Sequence, residues 1–140
     1  MAWQCSSRSQ NGLVANLVQH GILRSQNAIA AMQAVDRANY CEENSYDDRP
    51  QAIGYHQTIS APHMHATALE LANELGSGAR ILDIGCGSGY LTACFGRLVE
   101  ATNGHVLGID VIPHLVDFAR TNMSKKDYDL LTKSIVELRV

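Results

Sequence analysis

The 140-residue sequence lacks any apolar run approaching the roughly 20 residues needed to span a bilayer as a helix, so no membrane association is expected. No apolar h-region follows Met1-Ala2-Trp3-Gln4-Cys5-Ser6-Ser7-Arg8, and a chain without a secretory signal is expected. The four cysteines, Cys5, Cys41, Cys86 and Cys94, form no CxxC pair and no zinc spacing. Free thiols in a reducing, cytoplasmic setting are the expectation, with no metal. Charge of either sign is scarce: 11 basic against 14 acidic residues leave a net −3. That balance argues against nucleic-acid binding and against a basic membrane-surface patch. Repeats and low-complexity tracts are missing too. What remains is 46% hydrophobic, enough for one domain of ordinary size over residues 1–140.

The first ten residues are polar and are expected to fray. From Asn11, Leu13, Val14, Leu17 and Val18 fall on one helical face, and Gly21 is placed to stop the helix. A second helix is expected from Ser25 as N-cap, carrying Ile29, Met32 and Val35. Residues 41–59 lose periodicity. The acids Glu42, Glu43, Asp47 and Asp48 suggest a solvated loop, and Gln51 to Ile59 an extended connector. A third helix starts near Ser60-Ala61-Pro62, with Met64, Ala68, Leu71 and Leu75 on one face.

Beyond Gly78 the rhythm becomes strand–turn–helix. Arg80 to Ile84 forms a first strand, His105 to Ile109 a second and Ile135 to Val140 a third, with helices over Leu91–Val99 and from about Pro113 to Met123. Alternation of this kind implies right-handed βαβ units and a parallel sheet. Residues 11–77 therefore form an N-terminal helical segment, and 78–140 the first three strands of a ligand-binding fold.

The richest chemistry lies in Asp83-Ile84-Gly85-Cys86-Gly87-Ser88-Gly89-Tyr90. A glycine-rich turn at a strand's carboxyl end lets a ligand approach the backbone. Its G-x-G-x-G spacing, with Tyr90 where a dinucleotide fold wants a small residue and no GK[ST] after it, excludes the dinucleotide fingerprint and the P-loop. It matches the first motif of S-adenosylmethionine-dependent methyltransferases. Asp110, 21 positions past Gly89, ends the second strand, where a carboxylate accepts ribose hydroxyls. The bland reading of the glycines alone is a tight ligand-free turn, and that of Asp110 alone an N-cap ahead of Pro113; their register with the strands favours the ligand. Ser60 alone reads as a helix N-cap. His63 and His65 are two apart on a helix and do not face each other. Cys86 has no base placed for a nucleophilic role, and Lys125-Lys126 simply complements a helix dipole.

Together the segments Met1-Ala2-Trp3, Ala34 to Arg37, Pro50 to Gly54, Thr58-Ile59-Ser60-Ala61-Pro62-His63-Met64-His65-Ala66 and Leu82 to Phe95 resemble the protein-L-isoaspartate (D-aspartate) O-methyltransferases. The Thr58–Ala66 block is the specific part, since the glycine motif is shared by many methyltransferases. His56-Gln57 stand where a smaller, less charged pair is expected, and Cys86 where serine is common.

The resemblance implies a class I, Rossmann-like α/β fold: a parallel sheet with helices on both faces. Three strands are expected here, and the sequence ends before the family's G-D-G motif, so a C-terminally truncated, poorly stable and inactive chain is expected. The resemblance also implies catalysis at Ser60 and S-adenosyl-L-methionine contacts from Thr58, Ile59, Ser60, His65, Asp83, Gly85, Cys86, Gly87, Gly89, Asp110 and Val111. The implied substrate is the carboxylate of isoaspartyl residues in damaged proteins, acted on by a monomer. The alternatives are an inactive fragment and a small-molecule methyltransferase using the same turn.

Overall fold

A computed structural model describes residues 2–140, with side chains from residue 4 onward. Helix α1 (Gln10–Gln19) opens at Ser9, whose Oγ accepts the Gly12 N–H at 3.0 Å, and buries Leu13, Val14 and Leu17. Val18 falls outside this stripe and is 40% exposed. Among the described residues, those before the helix are anchored rather than frayed; Met1 lies outside the described residues. Asn16 Nδ2 donates to the carbonyls of Cys5 and Ser6, Ser7 N–H donates to Tyr46, and Cys5 is fully buried. A polar composition concealed these backbone anchors.

Helix α2 (Gln26–Ala34) begins after Ser25, but that hydroxyl caps nothing. Glu70 Oε1 caps the helix instead, accepting the Arg24 and Ser25 N–H groups at 2.6 and 2.8 Å. A 3-10 turn over Arg37–Asn39 follows. The expected connector is a hairpin, with β1 (Gln51–Gly54) antiparallel to β2 (Gln57–Ile59). Its turn residues Tyr55 and His56 both take positive φ, +53° and +56°. Without the Asn-Gly signal that such a turn normally carries, the hairpin was invisible.

Helix α3 (Pro62–Asn73) buries Pro62, His65, Ala66 and Leu69. The expected stripe is the outward one: Met64, Leu71 and Leu75 are all exposed and Ala68 half-buried. Strands β3 (Arg80–Ile84), β4 (His105–Ile109) and β5 (Val136–Arg139) form a parallel sheet in that order, with Leu82 beside Leu107 and Leu107 beside Glu137. Helices α4 (Tyr90–Val99), α5 (Pro113–Lys126) and α6 (Tyr128–Thr132) make the crossovers. Alternation does the sorting. Val106, Gly108, Val136 and Leu138 are buried beneath the helices, while Leu82 and Ile84 are exposed on the other side. Helix α4 is buried on most of its surface, between the sheet and helices α2 and α3. Lys125 does more than complement a dipole, since its Nζ donates to Asn39 O and Asn122 Oδ1.

Candidate functional site

The turn Gly85–Gly89 is tied to the end of β4, because the N–H groups of Gly85 and Cys86 both donate to Ile109 O, at 2.8 and 2.9 Å. Its three glycines are left-handed but do different things. A Cβ at Gly85 would enter open space; one at Gly87 would lie 3.2 Å from Ile53 Cδ1 of the hairpin. At Gly89 it would be 2.9 Å from Ala119 Cβ on α5. Gly85 therefore leaves room for a ligand, and Gly89 lets two helices close together. Asp110 is not an N-cap. Its Oδ2 accepts the Gly87 N–H and its Oδ1 the Ile112 N–H, both at 3.1 Å, which leaves lone pairs on each oxygen.

The opposite wall is the end of β2 and the first turn of α3. Ala61, not Ser60, occupies the N-cap position. The cap comes from Asp48, whose Oδ1 accepts the His63 N–H at 2.9 Å and its Nδ1–H at 2.8 Å. Asp48 is fully buried, so the loop of acids is not uniformly solvated. Relieved of capping, the half-buried Ser60 hydroxyl makes no hydrogen bond among the described residues and opens into the cleft. His65 turns inward, away from His63, to Arg37. Burial, then the Arg37 charge, pushes its pKa down to about 3, so the ring is neutral.

Two adjoining lobes make the cleft. One, of about 250 Å³, is lined by Thr58, Ile59, Ser60, His65, Asp83, Gly85, Cys86 and Gly87. The other, of about 370 Å³ and mainly apolar, is lined by Thr58, Gly85, Gly87, Ile109, Asp110, Val111 and Ile112. Both are of a size that holds small molecules. Every residue expected to contact a cofactor borders one lobe except Gly89, which faces α5. Asp83 is held by Thr92 Oγ1 at 2.6 Å, has no ion-pair partner among the described residues, and is raised in pKa chiefly by burial. Burial, with Asp83 and Asp110 nearby, pushes the Cys86 thiol up to about 12, so it is no nucleophile.

Residues 8–139 match the family model for protein-L-isoaspartate(D-aspartate) O-methyltransferase. The chain belongs to that family. It is 44% identical over 137 residues to the protein-L-isoaspartate O-methyltransferase of Caenorhabditis elegans, covering 97% of this chain and 60% of that relative. It is 46% identical to protein-L-isoaspartate O-methyltransferase 2 of Arabidopsis thaliana, covering 85% of this chain and 39% of the relative. A crystal structure of the Plasmodium falciparum protein, in complex with S-adenosyl-L-homocysteine, superposes with a TM-score of 0.88 at 34% identity, over 95% of this chain and 63% of that one. The chain thus spans at most about 60% of these curated relatives, and its sheet is part of the family's Rossmann-like fold. No helix of the described residues is long and apolar enough to cross a membrane.

Behind the cleft, this family member carries a polar cluster that sequence reasoning passed over. Tyr90 opens α4 fully buried, with its ring centroid 5.3 Å from His65 and 5.5 Å from Tyr40. Gln10 donates to Met32 O at 2.7 Å and to Tyr90 Oη at 3.3 Å, and accepts the Arg37 N–H at 3.1 Å. Tyr40 donates to Asp127 at 2.6 Å, and Asp127 in turn pairs with Arg97 at 2.9 Å. The only trace of this in the sequence was that glutamine, arginine and tyrosine interrupt otherwise apolar helical faces.

Proposed function

We propose that the chain carries the cofactor cleft and substrate-facing serine of a protein-L-isoaspartate O-methyltransferase, a single-domain monomer of the cytoplasm acting on damaged proteins, with no nucleic-acid partner. The observation that carries this reading is the convergence of Ser60, His65, Asp83, Gly85 and Asp110 on one cleft, drawn from three separate stretches of chain. The residues present suit S-adenosyl-L-methionine. Gly85 leaves the space a Cβ would fill, and Asp83 offers a partly buried carboxylate in need of a cation, as the methionine ammonium provides. Asp110 keeps lone pairs for two ribose hydroxyls beside the apolar Val111–Ile112 lobe. When bound, the cofactor supplies an electrophilic methyl group on a sulfonium.

The rest falls to the protein. An isoaspartyl α-carboxylate is already an anion at neutral pH and needs no general base. Ser60 Oγ–H, free of any structural partner, donates to that carboxylate and orients it. Orientation of this kind contributes up to about 7–11 kcal/mol to a bimolecular transfer. D-aspartyl residues would be a poorer substrate.

The test is methyl transfer from labelled S-adenosyl-L-methionine to an L-isoaspartyl peptide, with its normal aspartyl twin and a free small carboxylic acid as controls. The expected result, in a version extended to the length of its relatives, is label on the isoaspartyl peptide alone. Label on the small acid instead would favour a small-molecule methyltransferase.

A further inference from the structure

Arg37 is a cation without an anion. It is 0% exposed, yet it forms no ion pair among the described residues. Nη2 donates to the Ser60 carbonyl at 2.9 Å, Nη1 lies 3.3 Å from His65 Nδ1, and Nε is buried without a partner. The guanidinium carbon sits 5.4 Å from the centroid of the Tyr90 ring, a cation–π contact that offsets part of its desolvation. Such a residue is costly to bury for packing alone.

Its chemistry constrains its neighbour. A guanidinium has five donors and no acceptor, and stays charged inside proteins. Nδ1 of His65 must therefore be the bare, accepting nitrogen, and in a neutral imidazole the proton then sits on Nε2. His65 Nε2 makes no hydrogen bond within the described residues, and His65, 6% exposed, lines the same lobe as Ser60. We propose that Arg37 is a positioning residue which, by donating to His65 Nδ1 and to the Ser60 carbonyl, fixes His65 as its Nε2–H tautomer and presents that N–H to a carboxylate in the cleft. Which carboxylate this is rests on the cofactor reading above: the amino-acid carboxylate of S-adenosylmethionine, whose ammonium goes to Asp83. The uncompensated charge of Arg37, one ring behind, adds a positive potential that favours the same anion.

Long-range proton–nitrogen correlation spectra of the 140-residue chain labelled in its histidines test the tautomer directly. Wild type and R37K should show a protonated Nε2 and a bare Nδ1 for His65, while R37M should show a mixture of tautomers. A protonated Nδ1 in the folded wild type overturns the proposal even if R37M fails to fold, and so does an R37M that keeps the wild-type tautomer.

Titration with two nucleosides then separates positioning from mere support. R37M should weaken S-adenosylhomocysteine about 10–100-fold, the cost of leaving a buried polar partner unpaired, with R37K close to wild type. Methylthioadenosine, which lacks the amino-acid portion, should bind R37M and wild type alike. Equal losses for both nucleosides would mean that Arg37 only supports the fold. If the wild type binds neither, the cofactor reading fails, while the nitrogen shifts still decide the tautomer.

Discussion

The two faces of the three-stranded sheet are built from the same alternating strands and have opposite fates. On one, Val106, Val136 and Leu138 vanish beneath α4, α5 and α6, and even the polar groups behind them, Tyr40, Arg97 and Asp127, are paired. On the other, Leu82 and Ile84 are 55% and 75% exposed on an edge strand, and on α3 and just beyond it Met64, Leu71 and Leu75 are exposed too. The 140 residues stabilise one face completely and contribute little to the other. Stability and surface behaviour should therefore respond to separate sets of substitutions.

The largest expected effect is on the covered side. Arg97→Ala removes the partner of Asp127, which is 1% exposed, and should cost about 3–5 kcal/mol of unfolding free energy by urea denaturation. Arg97 also sets a pH dependence through its second partner, Asp129. Arg97 holds the Asp129 carboxyl below its ordinary value of 3.8, so that contribution is present at neutral pH and is lost as pH falls through the lowered value. In Arg97→Ala this acid-side loss should disappear. An unchanged urea midpoint would show that the covered face does not depend on its polar cluster.

Next come the glycines. Gly89→Ala combines a left-handed φ of +86° with a Cβ 2.9 Å from Ala119, and should cost roughly 2–4 kcal/mol. Gly85→Ala meets only the φ penalty, about 1–2 kcal/mol, but should weaken S-adenosylhomocysteine, which isothermal titration will show. The two glycines read alike in sequence; their unequal cost would sharpen the contrast between packing side and cleft side.

Ser60→Ala should move the melting midpoint very little, because its half-buried hydroxyl bonds nothing among the described residues. A loss of about 0.5–2 kcal/mol would restore a capping role. Affinity for S-adenosylhomocysteine should also fall as pH drops into the raised titration range of Asp83, and Asp83→Asn should abolish that dependence. Smallest of all, Ile84→Lys on the open face should change the unfolding free energy by no more than about 0.5 kcal/mol in urea denaturation. A larger loss would mean that the open face is not open.

What sequence revealed and what it hid divide along physical lines. Strands β3 and β4 and helix α4 were legible to the residue or nearly so, because short apolar runs set off by glycine leave few alternatives. The hairpin was hidden, since Tyr55 and His56 take a backbone conformation their side chains disfavour. Tyr55 stacks on His114, with ring centroids 5.4 Å apart, a contact no local pattern announces. The wrong face of α3 was chosen because Met64, Leu71 and Leu75 are bulkier and more apolar than His65 and Ala66, which the fold buries with Leu69. For the site, spacing located the glycines and Asp110, and family resemblance located Ser60 and His65. Asp48, Arg37, Tyr90 and Gln10 work through partners up to 80 positions away and left no local signal.

That last separation also has a consequence in time. Gln10 and Tyr90 meet across 80 residues, and Tyr40 and Asp127 across 87. During synthesis, at roughly 5–20 residues per second, Gln10 leaves the ribosome about 4–16 s before Tyr90 and α2 is complete about 3–11 s before it. Throughout that interval Leu13, Leu17 and Met32 have no complete shelter. The apolar faces of the nascent helices therefore stay open to water until α4 arrives to cover them.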